Sequence, residues 1–228
     1  MLARMAGPRA DSAQEGDAAR ERAAMVEHQL RARGILDERV LDAMAAVPRE
    51  HFIAHVQRPW AYADEALPIE SGQTISQPYI VARMTELLAA KPGDRVLEVG
   101  TGSGYQAAVL GMLGARVLSL ERHPALADRA RKRIIDLELG DRVEIRVADG
   151  SLGAPGDGPF GGIIVTAAAP AIPDALREQL DEGGRLVIPV GPRSEQVLVL
   201  VVRHGDEWLE YPDGPVVFVP LVGRAGFD

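Results

Sequence analysis

The chain has 228 residues, 46% of them hydrophobic, which suits one well-buried domain with a short attached region rather than two ordinary domains. Its formal net charge of −8 argues against a nucleic-acid partner, because phosphate binding demands clustered positive charge. No window approaches the roughly 18 uninterrupted apolar residues of a membrane span. The chain has no cysteine, which excludes disulfides, thiolate catalysis and zinc–thiolate sites. We expect a cytoplasmic protein without membrane association.

Residues 1–18 are small, polar and charged, and they lack the apolar stretch that a secretory signal requires. We predict a flexible tail over 1–18, an N-terminal region of helices and a long loop over 19–77, and a regular core over 78–228. Residues 19–228 are expected to fold as one domain.

Two amphipathic helices are predicted at the start of the N-terminal region. The first would stop at Gly34, and the second would be capped by Asp37 and end at Pro48. Their apolar stripes are Ala23, Val26 and Leu30, and then Val40, Leu41, Met44 and Val47. The segment from Arg49 to Gln77 has no regular pattern, and loops of that length are usually functional or disordered.

From Pro78 onward, short apolar runs alternate with helical patterns. Helices are predicted from Pro78 and over Tyr105–Leu113, Pro124–Leu137 and Ile172–Leu180. Strands are predicted over Val96–Val99, Val117–Leu120, Val143–Val147, Ile163–Val165, Leu186–Val190, Val197–Val202 and Val216–Val219. This alternation is typical of an α/β fold with a doubly wound, mostly parallel sheet that is covered on both faces. The valine-rich last segments predict antiparallel strands near the C-terminus.

A glycine-rich turn follows the first strand of this core. Gly100, Gly102 and Gly104 occupy alternate positions, whereas a dinucleotide site prefers the spacing G-x-G-x-x-G. Glu98 precedes the turn, and an acid at a strand end suits a ligand with a cationic ammonium group rather than a diphosphate. S-adenosylmethionine is such a ligand. An ordinary strand-to-helix turn is the alternative interpretation.

Two further acids follow the next predicted strands. Glu121 comes after the second strand, where a carboxylate can accept both ribose hydroxyls. Asp149 and Gly150 come after the third, where the amino group of an adenine could be recognised. Each acid alone could be a surface charge or a cap. Because the carboxyl ends of parallel strands share one edge, together they predict an adenosine ligand across that edge.

Hydroxyl groups also precede the helix that begins at Pro78. Thr74 or Ser76 could satisfy free backbone N–H groups there, and the residues alone favour this capping role over a functional one. The histidines are scattered without the spacing of metal ligands, so we expect no metal site.

Several segments together resemble the protein-L-isoaspartate O-methyltransferase family, over about residues 26–222. They are Gln73–Tyr79 with Val81–Met84, Val96–Gln106, Ile163–Ala168, Leu180–Gly184, Ala45–Arg49 and Phe218–Val222. Many methyltransferases share the glycine motif, whereas the Thr74–Ser76 segment is much more specific to this family. One departure is Phe160-Gly161-Gly162, since relatives often carry an acid after the phenylalanine, which puts local stability in doubt.

The resemblance implies a Rossmann-like S-adenosyl-L-methionine methyltransferase fold, with a substrate loop before Pro78 and the methyltransferase core over 78–228. Ser76 would then be the catalytic hydroxyl instead of a cap, with Thr74 and Ile75 beside it as substrate-binding residues. The implied cofactor-binding residues are Glu98, Gly100, Thr101, Gly102, Ser103, Glu121, Asp149 and Gly150.

The implied reaction moves the methyl group of S-adenosyl-L-methionine to the α-carboxylate of L-isoaspartyl residues in damaged proteins and peptides. The ester would lead through a succinimide to normal aspartate, and a monomer is expected. Three other interpretations stay open: a methyltransferase for a small molecule or RNA, a non-catalytic adaptor that binds cofactor or isoaspartate, and a nicotinamide dehydrogenase. The glycine spacing disfavours the last.

Overall fold

A computed structural model describes the chain over residues 8–228, with side chains from residue 16 onward. Helix α1 spans Pro8–Met25 and continues through a π-helical turn, Val26–Leu30, into a 3₁₀ turn that ends at Gly34. The flexible tail expected over 1–18 is therefore helical from Pro8, while residues 1–7 lie outside the described residues. Alanine, glutamate and arginine recur in this stretch, and their high helix propensity accounts for the difference.

The second predicted helix is confirmed as α2, Glu38–Ala46. Asp37 caps it, because its carboxylate accepts the backbone N–H of Arg39 at 2.9 Å. The loop that follows contains more structure than its sequence pattern indicated. It forms 3₁₀ turns and then a short antiparallel pair, β1 (Leu67–Pro68) and β2 (Thr74–Ile75).

The remaining elements form the core of the protein. The helices are α3 (Pro78–Leu88), α4 (Tyr105–Met112), α5 (Pro124–Asp136) and α6 (Asp174–Arg177). The strands are β3 (Arg95–Val99), β4 (Arg116–Glu121), β5 (Val143–Val147), β6 (Phe160–Val165), β7 (Leu180–Val190), β8 (Gln196–His204) and β9 (Glu207–Val216). Three predicted elements have wrong bounds: α6 is a single turn rather than Ile172–Leu180, β7 begins at Leu180 rather than Leu186, and the last strand ends at Val216 instead of beginning there.

These strands form one seven-stranded sheet in the order β5-β4-β3-β6-β7-β8-β9. Neighbours from β5 to β7 are parallel, and β7–β8 and β8–β9 are antiparallel. The fold class predicted from the sequence is confirmed, including the antiparallel strands at one edge. The strand order reverses between β3 and β6, and in such sheets ligands bind beyond the carboxyl ends of the strands at this point.

Both faces of the sheet are buried, which explains the nearly continuous apolar runs. On β3, Val96 packs among the N-terminal helices with α3 and α4, whereas Leu97 and Val99 pack on the opposite face with Phe160. Gly162 lies next to α3, where an added Cβ would approach Leu88 to 3.0 Å, so a glycine here permits close packing of helix and sheet. Among the described residues, no helix is both long and apolar enough to cross a membrane.

Candidate active site

A cleft opens at the carboxyl ends of β3 and β4, beside the loop that precedes Pro78, the predicted substrate loop, and the segment after β9. It contains about 760 Å³ of empty space when the open solvent at its mouth is included. Most of the predicted site residues line it, namely Thr74, Ile75, Ser76, Gly100, Thr101, Gly102, Ser103, Glu121 and Gly150. The two remaining predicted residues, Glu98 and Asp149, lie behind its wall.

The glycine turn brings the backbone of the chain to the surface of this cleft. Gly100 has φ of 96°, and Gly102 has φ of 53°, in the left-handed region that favours glycine. A Cβ at Gly100 would also lie only 2.5 Å from Oγ1 of Thr166. Both backbone conformation and space therefore require glycine at position 100.

Glu121 is buried at the end of β4 with its carboxylate facing the cleft. One oxygen accepts the backbone N–H of Gly102 at 2.8 Å, and the other accepts that of His123 at 2.9 Å. These bonds fix the carboxylate, and each oxygen keeps a further lone pair for another donor. The arrangement fits two adjacent hydroxyl groups, as the ribose prediction requires.

Glu98 is fully buried beneath the glycine turn. Its predicted contact with an ammonium group requires a position on the cleft, but Glu98 does not line it. Ser119 donates its hydroxyl to one carboxyl oxygen and also bonds the hydroxyl of Thr101. The other oxygen, Oε1, has no hydrogen-bond partner among the described residues. Burial raises the pKa of Glu98 to about 8. The charge of Glu121 raises this pKa further, whereas the hydrogen bond from Ser119 lowers it in part. The ammonium contact stays a prediction.

Asp149 is held by the C-terminal segment rather than by the cleft. Its Oδ1 accepts the backbone N–H of Ser151 at 3.0 Å, and its Oδ2 accepts that of Arg224 at 3.0 Å. Burial raises the pKa of Asp149, but the N–H of Arg224 and the hydroxyl and N–H of Ser151 outweigh it, so the net pKa is lowered. The predicted recognition of adenine stays a prediction, and the adjoining Gly150 does line the cleft.

Ser76 does not cap the helix at Pro78, which corrects the capping role that the residues alone favoured. The residue at the cap position is Gln77, and no side chain caps α3 there. Ser76 is half-buried, and its hydroxyl has no hydrogen-bond partner among residues 16–228. It lines the cleft at the carboxyl ends of β3 and β4, which we call the cofactor cleft. It also lines a second groove, which contains Ile80, Val216 and Phe218. Thr74 lines both clefts as well.

Some residues that shape the cleft escaped the sequence analysis. Ser119 interrupts the apolar run of β4, and this polar residue in a buried strand was a signal that could have been used. Arg133 belongs to a basic run of α5 whose helical spacing is typical of a solvated helix face. It is instead half-buried and donates to the backbone oxygen of Ser103 at 2.9 Å. On the same helix, Arg129 forms an ion pair with Glu70 of the substrate loop.

Comparison with known proteins identifies the family. The sequence model of protein-L-isoaspartate(D-aspartate) O-methyltransferase matches residues 20–226. The chain belongs to this family. A protein-L-isoaspartate O-methyltransferase of Methylorubrum populi is 56% identical over 214 residues, which span 92% of this chain and 99% of that protein. One from Methanoculleus marisnigri is 53% identical over 91% of this chain and 94% of its own length.

Solved structures of family members share the fold. A protein-L-isoaspartate O-methyltransferase superposes with a TM-score of 0.81 at 27% identity, over 90% of this chain and 67% of the other. A structure described as a family member from Plasmodium falciparum, in complex with S-adenosyl-L-homocysteine, gives a TM-score of 0.74 at 28% identity, over 87% and 96% of the two chains. The Rossmann-like methyltransferase architecture is thereby confirmed.

Proposed function

We propose that this protein-L-isoaspartate O-methyltransferase moves the methyl group of S-adenosyl-L-methionine to the α-carboxylate of L-isoaspartyl residues in damaged proteins and peptides. The methyl ester then closes to a succinimide without the enzyme, because the neighbouring peptide nitrogen attacks the ester carbonyl and expels methanol. Hydrolysis of the succinimide can then give normal aspartate. Family membership sets aside the dehydrogenase interpretation. An RNA substrate is disfavoured by the net charge of −8, since the chain must then approach a polyanion.

The observation that carries the proposal is the position of Ser76. Its half-buried hydroxyl lies where the cofactor cleft meets the second groove, and it has no partner among the described side chains. If the methyl acceptor is part of a peptide, the peptide must reach the cofactor along a surface wide enough to hold it. The second groove supplies apolar contacts from Ile80, Val216 and Phe218 along such a path.

The residues of the cleft fit S-adenosyl-L-methionine. The spare lone pairs of Glu121 suit the ribose hydroxyls, and the backbone at Gly100 and Gly102 leaves room for a ligand against the main chain. When bound, the cofactor supplies a methyl group that is attached to a cationic sulfur. As the methyl carbon bonds to the carboxylate oxygen, its bond to sulfur breaks and the sulfur becomes a neutral thioether.

The protein's own residues need to align the acceptor rather than activate it. A carboxylate is ionised at neutral pH, so no strong general base is required. Ser76 donates a hydrogen bond that orients the carboxylate towards the methyl group, while Thr74 and Ile75 form the adjoining wall. The walls of the cleft also limit the hydration of two opposite charges that cancel as the bond forms.

We further propose that the protein acts as a cytoplasmic monomer without nucleic-acid partners. A chain without cysteine has no need of an oxidising compartment. The substrate loop and the cofactor cleft lie within one chain, so a single copy supplies all the residues of the proposed site.

The decisive experiment compares two peptides that differ only in the linkage of one aspartyl residue. Each is incubated with the enzyme and S-adenosyl-L-methionine that is labelled in its methyl group. We expect label that is released as methanol by mild base from the isoaspartyl peptide, and none from the aspartyl peptide. Equal labelling of both peptides, or of neither, would contradict the proposed substrate.

A further inference from the structure

An exposed apolar turn lies in the loop that precedes Pro78. In the 3₁₀ turn His55–Trp60, Val56 is 76% exposed and Trp60 is 54% exposed. Pro59, which stands between them, is exposed as well. Single exposed apolar residues are ordinary, but tryptophan is usually well buried in a monomer and is enriched at interfaces. The exposure of Trp60 beside other apolar residues therefore points to a contact with another molecule.

This turn has a fixed shape. The backbone N–H of Gln57 donates to the oxygen of Ala54 at 2.8 Å, and that of Ala61 donates to the oxygen of Arg58 at 3.0 Å. The backbone oxygen of Ala61 in turn accepts Nε of Arg49 at 2.8 Å, and Arg49 is fully buried. The apolar side chains consequently stand on a rigid support, which lowers the entropic cost of binding.

Two connections place the turn next to the second groove. The side-chain amide of Gln57 donates to the backbone oxygen of Pro68 at 2.9 Å. Pro68 pairs with Thr74, which lines both the cofactor cleft and the second groove. On the other side, the chain continues from Trp60 to Asp64, which lines the second groove. The apolar turn therefore borders the groove through β1 and through the chain that follows it.

The distance from Ser76 to the turn is within reach of an extended peptide. A strand advances about 3.3 Å per residue, and neighbouring strands lie about 4.8 Å apart. The contacts that lead from Ser76 through Thr74 and Pro68 to the turn therefore span on the order of 15 Å. An extended peptide covers this distance with about five residues.

We infer that Val56 and Trp60 form a docking surface for the unfolded chain that flanks an isoaspartyl residue, and that they select apolar side chains in that flank. The inference rests on the proposed function, because it assumes that an isoaspartyl peptide occupies the second groove. An unfolded chain exposes apolar side chains that a native protein buries. A stable contact with a folded partner or a second copy takes about 800 Å² on each side, more than two side chains supply.

Steady-state kinetics with three isoaspartyl peptides tests the inference. One peptide has three residues on each side of the isoaspartyl residue, and two have ten, with either leucine or serine at the fourth to sixth positions. Three extended residues span about 10 Å and do not reach the turn, whereas ten span about 33 Å. For the wild type we expect the KM of the long leucine peptide to be roughly fivefold or more below that of the long serine peptide.

Substitutions in the turn should remove this preference. Trp60→Ser and Val56→Ser should each raise the KM of the long leucine peptide roughly threefold or more, and together they should make the two long peptides equal. The KM of the short peptide and the turnover numbers should stay at their wild-type values, which a general loss of structure would change. Ile135→Ser is the matched control, since Ile135 is 67% exposed near the end of α5, and it should keep the wild-type preference.

Fluorescence provides a second measurement. The chain has two tryptophans, so Trp208→Phe leaves Trp60 as the only one. S-adenosyl-L-homocysteine is added in place of the methyl donor, so that no turnover occurs. The long leucine peptide should then shift the emission of Trp60 to shorter wavelength, because the indole leaves water, and the short peptide should not.

The inference is overturned if the wild type does not distinguish the two long peptides, if Trp60→Ser raises the KM of short and long peptides alike, or if the emission of Trp60 does not shift. A dimer that Trp60→Ser dissociates would also overturn it, since the turn would then be a contact between copies. A wild type that methylates none of the peptides would contradict the proposed function itself. Methylation of all three without preference would leave the proposed function intact.

Discussion

Among single residues, the hydroxyl of Ser76 is the group on which the proposed chemistry most depends. A hydrogen bond to a charged group contributes about 1.5–3 kcal/mol, so Ser76→Ala should lower the turnover number by roughly tenfold to a hundredfold. The affinity of this variant for S-adenosyl-L-homocysteine should stay unchanged, because the proposed cofactor contacts are made by Glu121 and the glycine turn and not by Ser76. Steady-state kinetics with an isoaspartyl peptide, together with calorimetry, measure both quantities.

Ser194 supplies the control for that substitution. It is exposed in the turn between β7 and β8, and Ser194→Ala should leave turnover and binding as they are in the wild type. Turnover of Ser76→Ala at the wild-type rate would contradict the role of the hydroxyl, and Ser76 would then be only a wall of the cleft.

Burial of Glu98 predicts a particular dependence of stability on pH. Its pKa is about 8 in the folded protein, against an ordinary value of 4.5. A folded state that binds a proton more tightly than the unfolded chain loses stability as pH rises between the two values. Glu98→Gln removes this titration, so its unfolding temperature should rise relative to the wild type as pH increases from roughly 5 to 8.

Thermal unfolding of the ligand-free proteins at several pH values measures this difference. The control is Glu178→Gln, since Glu178 is exposed on the surface, and its difference from the wild type should not change with pH. If the difference in unfolding temperature between Glu98→Gln and the wild type stays constant from about pH 5 to 8, the carboxyl of Glu98 does not take up the proton that its burial predicts.

At the scale of elements, the turn from β3 to α4 sets the shape of the cofactor site. Gly100→Ala combines left-handed backbone strain of about 1–2 kcal/mol with the contact between the new Cβ and Thr166. We expect the dissociation constant for S-adenosyl-L-homocysteine to rise at least about tenfold. Thr166→Ala should recover part of that loss in the Gly100→Ala background, because it removes the atom that is 2.5 Å away.

Gly156 offers a control with the same backbone conformation. Its φ is 92°, close to the 96° of Gly100, but a Cβ there meets nothing within 4 Å. Gly156→Ala therefore incurs the strain without the contact, and the binding of the cofactor should not change. Wild-type affinity in Gly100→Ala would show that the turn adapts and that its glycine is not required.

The elements differ in how far the sequence could predict them. The alternating runs from Pro78 onward identified the strands and helices of the core, since burial on both faces leaves nearly continuous apolar segments. The π-helical turn at Val26–Leu30 and the β1–β2 pair were not predicted, because elements of two to five residues are too short to show a hydrophobic period. The sequence pattern extended α6 to Leu180, whereas in the structure β7 begins there. Pairing of Leu180 with Phe160 of β6 sets this boundary, and a local pattern does not contain it.

The site divides in a similar way. Glu121, Gly100 and Gly102 follow directly from the ends of their strands, and all three line the cleft. The surroundings of Asp149 depend on Arg224, which is 75 residues away along the chain, and no local pattern relates the two. Ser76 lies between these cases: a cap was the physically sound interpretation of its position, and the structure shows instead that no side chain caps α3 at its start.

At the scale of the whole molecule, the cofactor cleft and the second groove meet at Thr74 and Ser76. In the proposed function, one edge of the sheet holds the small ligand, and the loop before Pro78 and the segment after β9 supply a surface for a larger one. The proposed site thereby separates the recognition of adenosine from that of a peptide, while the reacting groups meet at one hydroxyl. This division is what a repair enzyme for varied proteins requires.

Conversion of an isoaspartyl peptide to its normal aspartyl form is the most direct test of the proposed repair reaction. The peptide is incubated with the enzyme and S-adenosyl-L-methionine, and the two forms are separated by chromatography over time. We expect the aspartyl peptide to accumulate over repeated cycles, only with the cofactor present, and much more slowly with Ser76→Ala. An isoaspartyl peptide that remains unconverted in the presence of active cofactor and folded enzyme would contradict the proposed reaction.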